Sequence, residues 1–267
     1  MGTRVGRMEA GKNGGEEKVG SKTPANSSSN IPTVHLSNLP PGSPSALPSI
    51  HPSILPSFRA IIFDMDGVLI DSEPLHAQAW EALFADLGHA HDHGMTYRDY
   101  IGVADAVFLR DFLARHHRAE SPTELLSRKL QHLYRLIRQH RPIYQELHEL
   151  VPALAQRYRL AIASSSNQEV IDVVLDVAGL TQYFQVTVGG DAVRKHKPDP
   201  EVYLAVTREL SLTPHQCCAI EDSPTGIQAA KTAGLTVIGI TTGQTATQLR
   251  QADHIAHDFG EVRRLLL

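Results

Sequence analysis

Along this chain the apolar positions fall into two alternating textures. Short continuous runs occur at 60–63, 160–164, 185–188, 217–220 and 236–240. Between them lie stretches whose apolar residues recur every three or four positions, the spacing of one helix face. Runs of four or five residues alternating with helical periods predict βαβ units and a parallel sheet. The first run is separated from the other four by about 95 residues that read almost entirely as helix. There Leu75, Ala79, Trp80, Leu83, Phe84 and Leu87 keep a helical period, and 107–113 and 125–137 do the same. A helical insertion after the first strand of a doubly wound domain accounts for this order. Ligands in such sheets sit beyond the carboxyl ends of the strands, so the residues just after each run carry the chemistry.

The first run ends in Phe63-Asp64-Met65-Asp66-Gly67-Val68. Side chains two apart on an extended backbone share a face, so Asp64 and Asp66 bring two carboxylates together at one strand tip. Like charges at that spacing need a cation or a raised pKa, and Mg²⁺ with its oxygen ligands suits them. Alone, such a pair reads equally as loop capping; the other strand ends change the balance. The second run closes on Ser164-Ser165-Ser166-Asn167, a hydroxyl cluster opening a helix and suited to phosphate, with a capping box from Ser166 to Glu169 as the purely structural reading. Ahead of the fourth run stands Lys195-His196-Lys197-Pro198-Asp199-Pro200, with Asp199 expected as helix N-cap and Lys197 aimed at an anion from a proline-stiffened segment. The fourth run ends in Glu221-Asp222-Ser223 and adds two acids.

These four strand-end motifs, in this order, resemble the haloacid dehalogenase superfamily over residues 58–267. Asp71-Ser72-Glu73-Pro74-Leu75-His76, the helical insert, and His196-Lys197-Pro198-Asp199-Pro200 are similar to its β-phosphoglucomutase and sugar-phosphate phosphatase branch. The resemblance implies an α/β fold: a Rossmann-like doubly wound parallel sheet of order 5-4-1-2-3 with an inserted α-helical cap. It divides the chain into a core of 58–72 and 144–267 and a cap of 73–143. It further implies Asp64 as nucleophile, Asp66 as acid and base, and Ser164 and Lys197 as phosphate ligands. Mg²⁺ would be held by Asp64, the Asp66 carbonyl and Asp222, with Glu221 in support. His76 matches a histidine of that branch and takes a substrate or hinge role beside Ser166.

Composition narrows the partners. The chain has 42% hydrophobic residues, enough for a sizeable core, and a net charge of −4 that becomes −6 from Phe58 onward, which speaks against nucleic acid or an anionic membrane. No apolar run is long enough to cross a bilayer, and Cys217 and Cys218 are adjacent in an apolar stretch, as expected of reduced core thiols in a cytoplasmic protein. Residues 1–57 hold half of the 16 prolines and no hydrophobic period and read as a disordered extension, with a transit peptide opposed by Glu9, Glu16 and Glu17. Between Gly88 and Gly94, His89, His91 and His93 could suggest zinc, but a solvated loop between helices is the expectation. Trp80 is expected in the cap core.

The function expected is Mg²⁺-dependent hydrolysis of a small phosphorylated metabolite, a sugar phosphate first, by a monomer or small homo-oligomer. The alternatives are a β-phosphoglucomutase-type phosphotransferase and a catalytically silent binding protein. Against the mutase, Gly102-Val103-Ala104-Asp105 carries an acid where those enzymes place an arginine for a second phosphate, with Arg110 or Arg115 as possible substitutes. Against silence, none of Asp64, Asp66, Lys197, Glu221 or Asp222 is missing.

Overall fold

The central strand runs are apolar on both faces because each is covered on both sides, whereas the edge run at 185–188 leaves Gln185 exposed. In the computed structural model, which describes residues 57–90, 92–100 and 105–267, β1 (Ala60–Phe63) sends Ile61 and Phe63 into one hydrophobic cluster and Ala60 and Ile62 into another. The same alternation divides β2 (Arg159–Ala163) and β4 (Cys217–Glu221), so Cys217 and Cys218 point to opposite faces and stay free thiols. Burial pushes the Cys217 thiol up to about 11 and that of Cys218 higher still.

Among the described residues six parallel strands form one sheet in the order β3-β2-β1-β4-β5-β6, with β3 at Phe184–Val188, β5 at Thr236–Ile240 and β6 at His254–Ala256. This is the order expected from the resemblance with one strand added beyond β5. The three residues of β6, His254-Ile255-Ala256, are too few to stand out as a run. The second strand begins and ends one residue earlier than its apolar run, so Ser164 lies just past it, its N–H donating 3.1 Å to the Val188 carbonyl.

The helical stretch after β1 forms α1 (Glu73–Asp86), α2 (Asp105–Arg115) and α3 (Pro122–His140). Trp80, Phe84, Phe108 and Phe112 make its own core, with the Phe84 and Phe112 rings stacked 4.2 Å apart. Leu75 and Ala79 of α1 and Leu133, Tyr134 and Ile137 of α3 instead join the cluster that covers the sheet. The chain enters and leaves this segment side by side: Ile70 bridges Ile143, and the Asp71 N–H donates to the Pro142 carbonyl at 2.9 Å. Of the remaining helices, α4 (Leu147–Ala155) leads into β2, while α5 (Gln168–Ala178), α6 (Glu201–Glu209), α7 (Pro224–Ala233) and α8 (Phe259–Leu266) follow β2, β3, β4 and β6.

Two helix starts differ from expectation. Asn167 rather than Ser166 caps α5, and the Ser166–Glu169 box does not form because both side chains bond elsewhere. Helix α6 begins at Glu201 with Pro200 ahead of it, although Asp199 Oδ1 still accepts the Glu201 N–H at 3.1 Å. The extension read at 1–57 falls outside the described residues except for Ser57. Among the described residues no helix is long and apolar enough to cross a membrane.

Candidate active site

Parallel pairing places the tips of β1, β2 and β4 side by side, and the motif residues converge there. Asp64 follows β1 and is buried; its N–H bonds the Ile220 carbonyl of β4 at 2.9 Å. Asp64, Glu221 and Asp222 can each offer a carboxylate oxygen within 4.8 Å of the others. Lys197, itself buried, reaches into this group and donates to Asp64 Oδ1 at 2.8 Å, Glu221 Oε1 at 2.7 Å and the Ala163 carbonyl at 2.9 Å. One ammonium against three carboxylates leaves an excess of negative charge. Burial, then the charge of Glu221, raises Asp64 to about 7, and burial, then Asp64, raises Asp222 to about 8. A cluster that binds protons so readily without a cation is suited to a hard divalent one, and its all-oxygen donors fit Mg²⁺.

Glycine makes the cluster possible. Gly67 adopts φ +74, and a Cβ on it would lie 2.0 Å from Asp222 Oδ2. A Cβ on Gly226 would lie 1.9 Å from Glu221 Oε1, so the first turn of α7 closes directly over that carboxylate.

Asp66 stands apart from the three clustered acids. Ser72 Oγ donates to its Oδ1 at 2.5 Å and Ser166 Oγ to its Oδ2 at 2.8 Å, so two hydroxyls from different loops fix its carboxylate. Ser164 Oγ is buried and accepts the Ser166 N–H at 3.0 Å, which shapes the loop presenting both serines. His76 lies with Nε2 4.0 Å from Asp66 Oδ1. Burial and then Lys129 lower its pKa, because a second positive charge beside a buried ammonium is unfavourable.

Three residues of the site were given no role by the motifs. Tyr203 of α6 is fully buried and donates to Glu221 Oε1 at 2.6 Å. Ser72 holds Asp66. Lys129 donates 2.9 Å to His76 Nδ1 and 2.8 Å to Asp105 Oδ2. Lys129 did leave a signal: it stands four residues after Leu125 and four before Leu133, on the inward stripe of α3. The acid at Asp105 is therefore paired with a lysine rather than standing as an isolated charge. Arg110, offered as a substitute for a phosphate-clamping arginine, is exposed and turned to Asp111 at 2.8 Å.

His89 pairs with Asp92 and His93 with Glu81, each at 3.1 Å, while His91 lies outside the described residues. Among the described residues the acidic group of Asp64, Glu221 and Asp222 is the one with metal-binding spacing. Trp80 lies in the core of the helical segment, as expected, with Lys129 Nζ 5.4 Å from its ring.

The chain is similar to known proteins. The phosphorylated carbohydrates phosphatase of Thermotoga maritima is 33% identical over 179 residues, 66% of this chain and 82% of that protein. The fructose-1-phosphate phosphatase of Escherichia coli is 29% identical over 189 residues, 68% of this chain and 96% of that protein. The crystal structure of a putative β-phosphoglucomutase from Thermotoga maritima matches with a TM-score of 0.65 at 28% identity, covering 79% of this chain and all of that one. A sequence model of haloacid dehalogenase-like hydrolases matches residues 61–240. With the parallel sheet and the strand-tip acids in place, the chain belongs to the haloacid dehalogenase-like hydrolase family of enzymes.

Proposed function

We propose that this protein is a Mg²⁺-dependent phosphomonoesterase acting on a small phosphorylated metabolite, a sugar phosphate foremost, through an aspartyl-phosphate on Asp64. The observation that carries this is the unequal setting of two aspartates two residues apart. Asp64 is buried against Lys197 and two acids, whereas Asp66 is held outside that cluster by two hydroxyls. Different surroundings give paired carboxylates different duties.

In this reading an Asp64 oxygen attacks phosphorus in line, forming the O–P bond as the bond to the leaving oxygen breaks. Asp66 gives that oxygen its proton and then takes one from the water that attacks the aspartyl-phosphate, releasing inorganic phosphate and restoring Asp64. Lys197 and Ser164 hold the phosphoryl oxygens, Lys197 sharing its protons between Asp64 and the incoming anion. Glu221, with Tyr203, fixes the Lys197 ammonium. Asp64, Asp222 and the Asp66 carbonyl would hold Mg²⁺, with Glu221 in support. A bound cation would supply the positive charge that lets Asp64 and Asp222 be ionised together and offsets charge on the phosphoryl group. Residues 58–72 and 144–267 serve as the catalytic core and 73–143 as the cap bearing His76. The free buried thiols suit a reducing compartment such as the cytoplasm.

The phosphatases of Thermotoga maritima and Escherichia coli support the monoesterase reading. The structural likeness to a putative β-phosphoglucomutase keeps transfer to a sugar hydroxyl as the second reading. Incubation with β-glucose 1-phosphate, Mg²⁺ and glucose 1,6-bisphosphate separates them. Inorganic phosphate is expected in excess of glucose 6-phosphate; the reverse would replace the phosphatase with the mutase. No phosphate release from an aryl phosphate or any member of a sugar-phosphate panel, together with no glucose 6-phosphate from β-glucose 1-phosphate, would overturn both.

A further inference from the structure

Lys129 is completely buried, yet it donates to two polar side chains, His76 and Asp105. Contacts of 4.0, 2.9 and 2.8 Å connect Asp66 to His76, His76 to Lys129 and Lys129 to Asp105. Lys129 shows no surface with which to grip an anion. Asp105 does the opposite: its side chain is 36% exposed, Oδ2 takes the Lys129 proton, and Oδ1 has no partner among the described residues. The pair thus turns its acceptor side outward and keeps its donor inside.

The surroundings have the same sign. Tyr97 is half-buried near this wall, and its hydroxyl is held protonated by burial first and then by Glu73, Asp105 and Asp66. Glu73 opens α1 two residues after Asp71, and burial followed by the charges of Asp66 and Asp71 raises its pKa. The charges of Glu73, Asp105 and Asp66 thus all act on the Tyr97 hydroxyl. A substrate part placed there meets acceptors and negative charge. A hydroxyl can donate to Asp105, whereas a carboxylate or second phosphate meets the Asp105 carboxylate first, the Lys129 ammonium being buried behind it.

We propose that Asp105 is a specificity-determining residue: its carboxylate accepts a hydroxyl of a neutral polyhydroxylated leaving group and turns away leaving groups that end in an anion. This rests on the phosphomonoesterase reading and names its substrate class, the phosphomonoesters of uncharged sugars and sugar alcohols.

The test compares substrates matched in carbon skeleton: glucitol 6-phosphate against 6-phosphogluconate, and fructose 6-phosphate against fructose 1,6-bisphosphate, each scored by phosphate release with Mg²⁺. The full-length wild-type protein is expected to favour the neutral member of each pair by about tenfold or more in kcat/KM. Asp105→Asn keeps the side-chain volume but leaves the Lys129 charge uncompensated. It should shrink that preference by about tenfold, mainly through a lower KM for the anionic member. Asp105→Ser, which also removes the charge, serves if Asn is not accommodated.

Equal kcat/KM within each pair for the wild type would overturn the proposal. So would a preference left intact in a folded Asp105 variant. An aryl phosphate distinguishes the two levels. Wild-type hydrolysis of it with no preference for neutral tails sinks the role of Asp105 alone, whereas no phosphate release from any substrate sinks the phosphomonoesterase itself.

Discussion

Replacing Gly67 by alanine adds one methyl group, and the structure locates its cost. The new Cβ would stand 2.0 Å from Asp222 Oδ2 and 2.4 Å from its Cγ, far inside ordinary contact. The backbone cannot turn aside easily, since the Gly67 N–H donates to the Ile70 carbonyl at 2.8 Å and Thr242 Oγ1 donates to the Gly67 carbonyl at 2.5 Å. The Asp222 carboxylate must therefore retreat by about 1 Å or more, a displacement that in an active site costs on the order of 100-fold in rate. Holding alanine at φ +74 costs about 1–2 kcal/mol besides. For a chain of this size that lowers Tm by only a few degrees, about 2–4 °C per kcal/mol. Gly67→Ala should thus leave a folded protein whose kcat/KM for an aryl phosphate falls about 100-fold and whose half-saturating Mg²⁺ concentration rises. The assay is a Mg²⁺ titration of phosphate release beside a thermal melt. A variant within about threefold of wild type in both kcat/KM and Mg²⁺ requirement would refute the role of Asp222 and the contact that predicts the loss.

Other outcomes follow from the same site. A chelator should abolish phosphate release and added Mg²⁺ restore it; full activity in excess EDTA would be the contrary result. With Asp64 near 7 and Asp222 near 8 in the cation-free protein, both groups bind more protons folded than unfolded between about pH 4 and their raised values. Their contribution to stability is present at low pH and is lost as pH rises through 7–8, so cation-free melting temperatures should fall over that range, and Mg²⁺ binding at pH 7 should release protons to buffer, measurable by calorimetry in two buffers. Asp64→Asn should fold normally and lose about three orders of magnitude in turnover, with retained turnover placing the nucleophile elsewhere. Tyr203→Phe removes the 2.6 Å donor to buried Glu221 and should destabilise the fold by about 1–3 kcal/mol in denaturant unfolding; an unchanged midpoint would show that Glu221 does not need it.

The legible part of this fold lay where local pattern and long-range position coincide. Strand residues buried on both faces leave continuous apolar runs, and a parallel sheet brings their ends together, so Asp64, Asp66, Lys197, Glu221 and Asp222 could be placed at neighbouring strand ends, with the family resemblance assigning their roles. Residues acting through a side-chain partner gave weaker traces. Ser72 looks like any residue before a helix, yet its hydroxyl bonds Asp66, and Tyr203 is indistinguishable from core until its hydroxyl is seen on Glu221. Lys129 was visible as a charge on an apolar stripe, but its partners Asp105 and His76 are 24 and 53 residues away and only packing selects them. The capping box at Ser166 failed for a related reason. Asp66 and Tyr134 compete for its two side chains across the fold and win.

The paired crossing at Ile70 and Ile143 would let a short turn replace everything between, as though the helical segment were a cassette. The burial pattern denies that freedom. Leu75 and Ala79 of α1 and Leu133, Tyr134 and Ile137 of α3 lie in the cluster beneath the sheet, and Tyr134 Oη donates to Glu169 of α5 at 2.8 Å. An engineer exchanging this segment with that of a relative must keep the N-terminal turns of α1 and the C-terminal half of α3 as part of the recipient. The graft point lies beyond those turns rather than at the crossing, and a chimera cut at the crossing should lose solubility before it changes substrate.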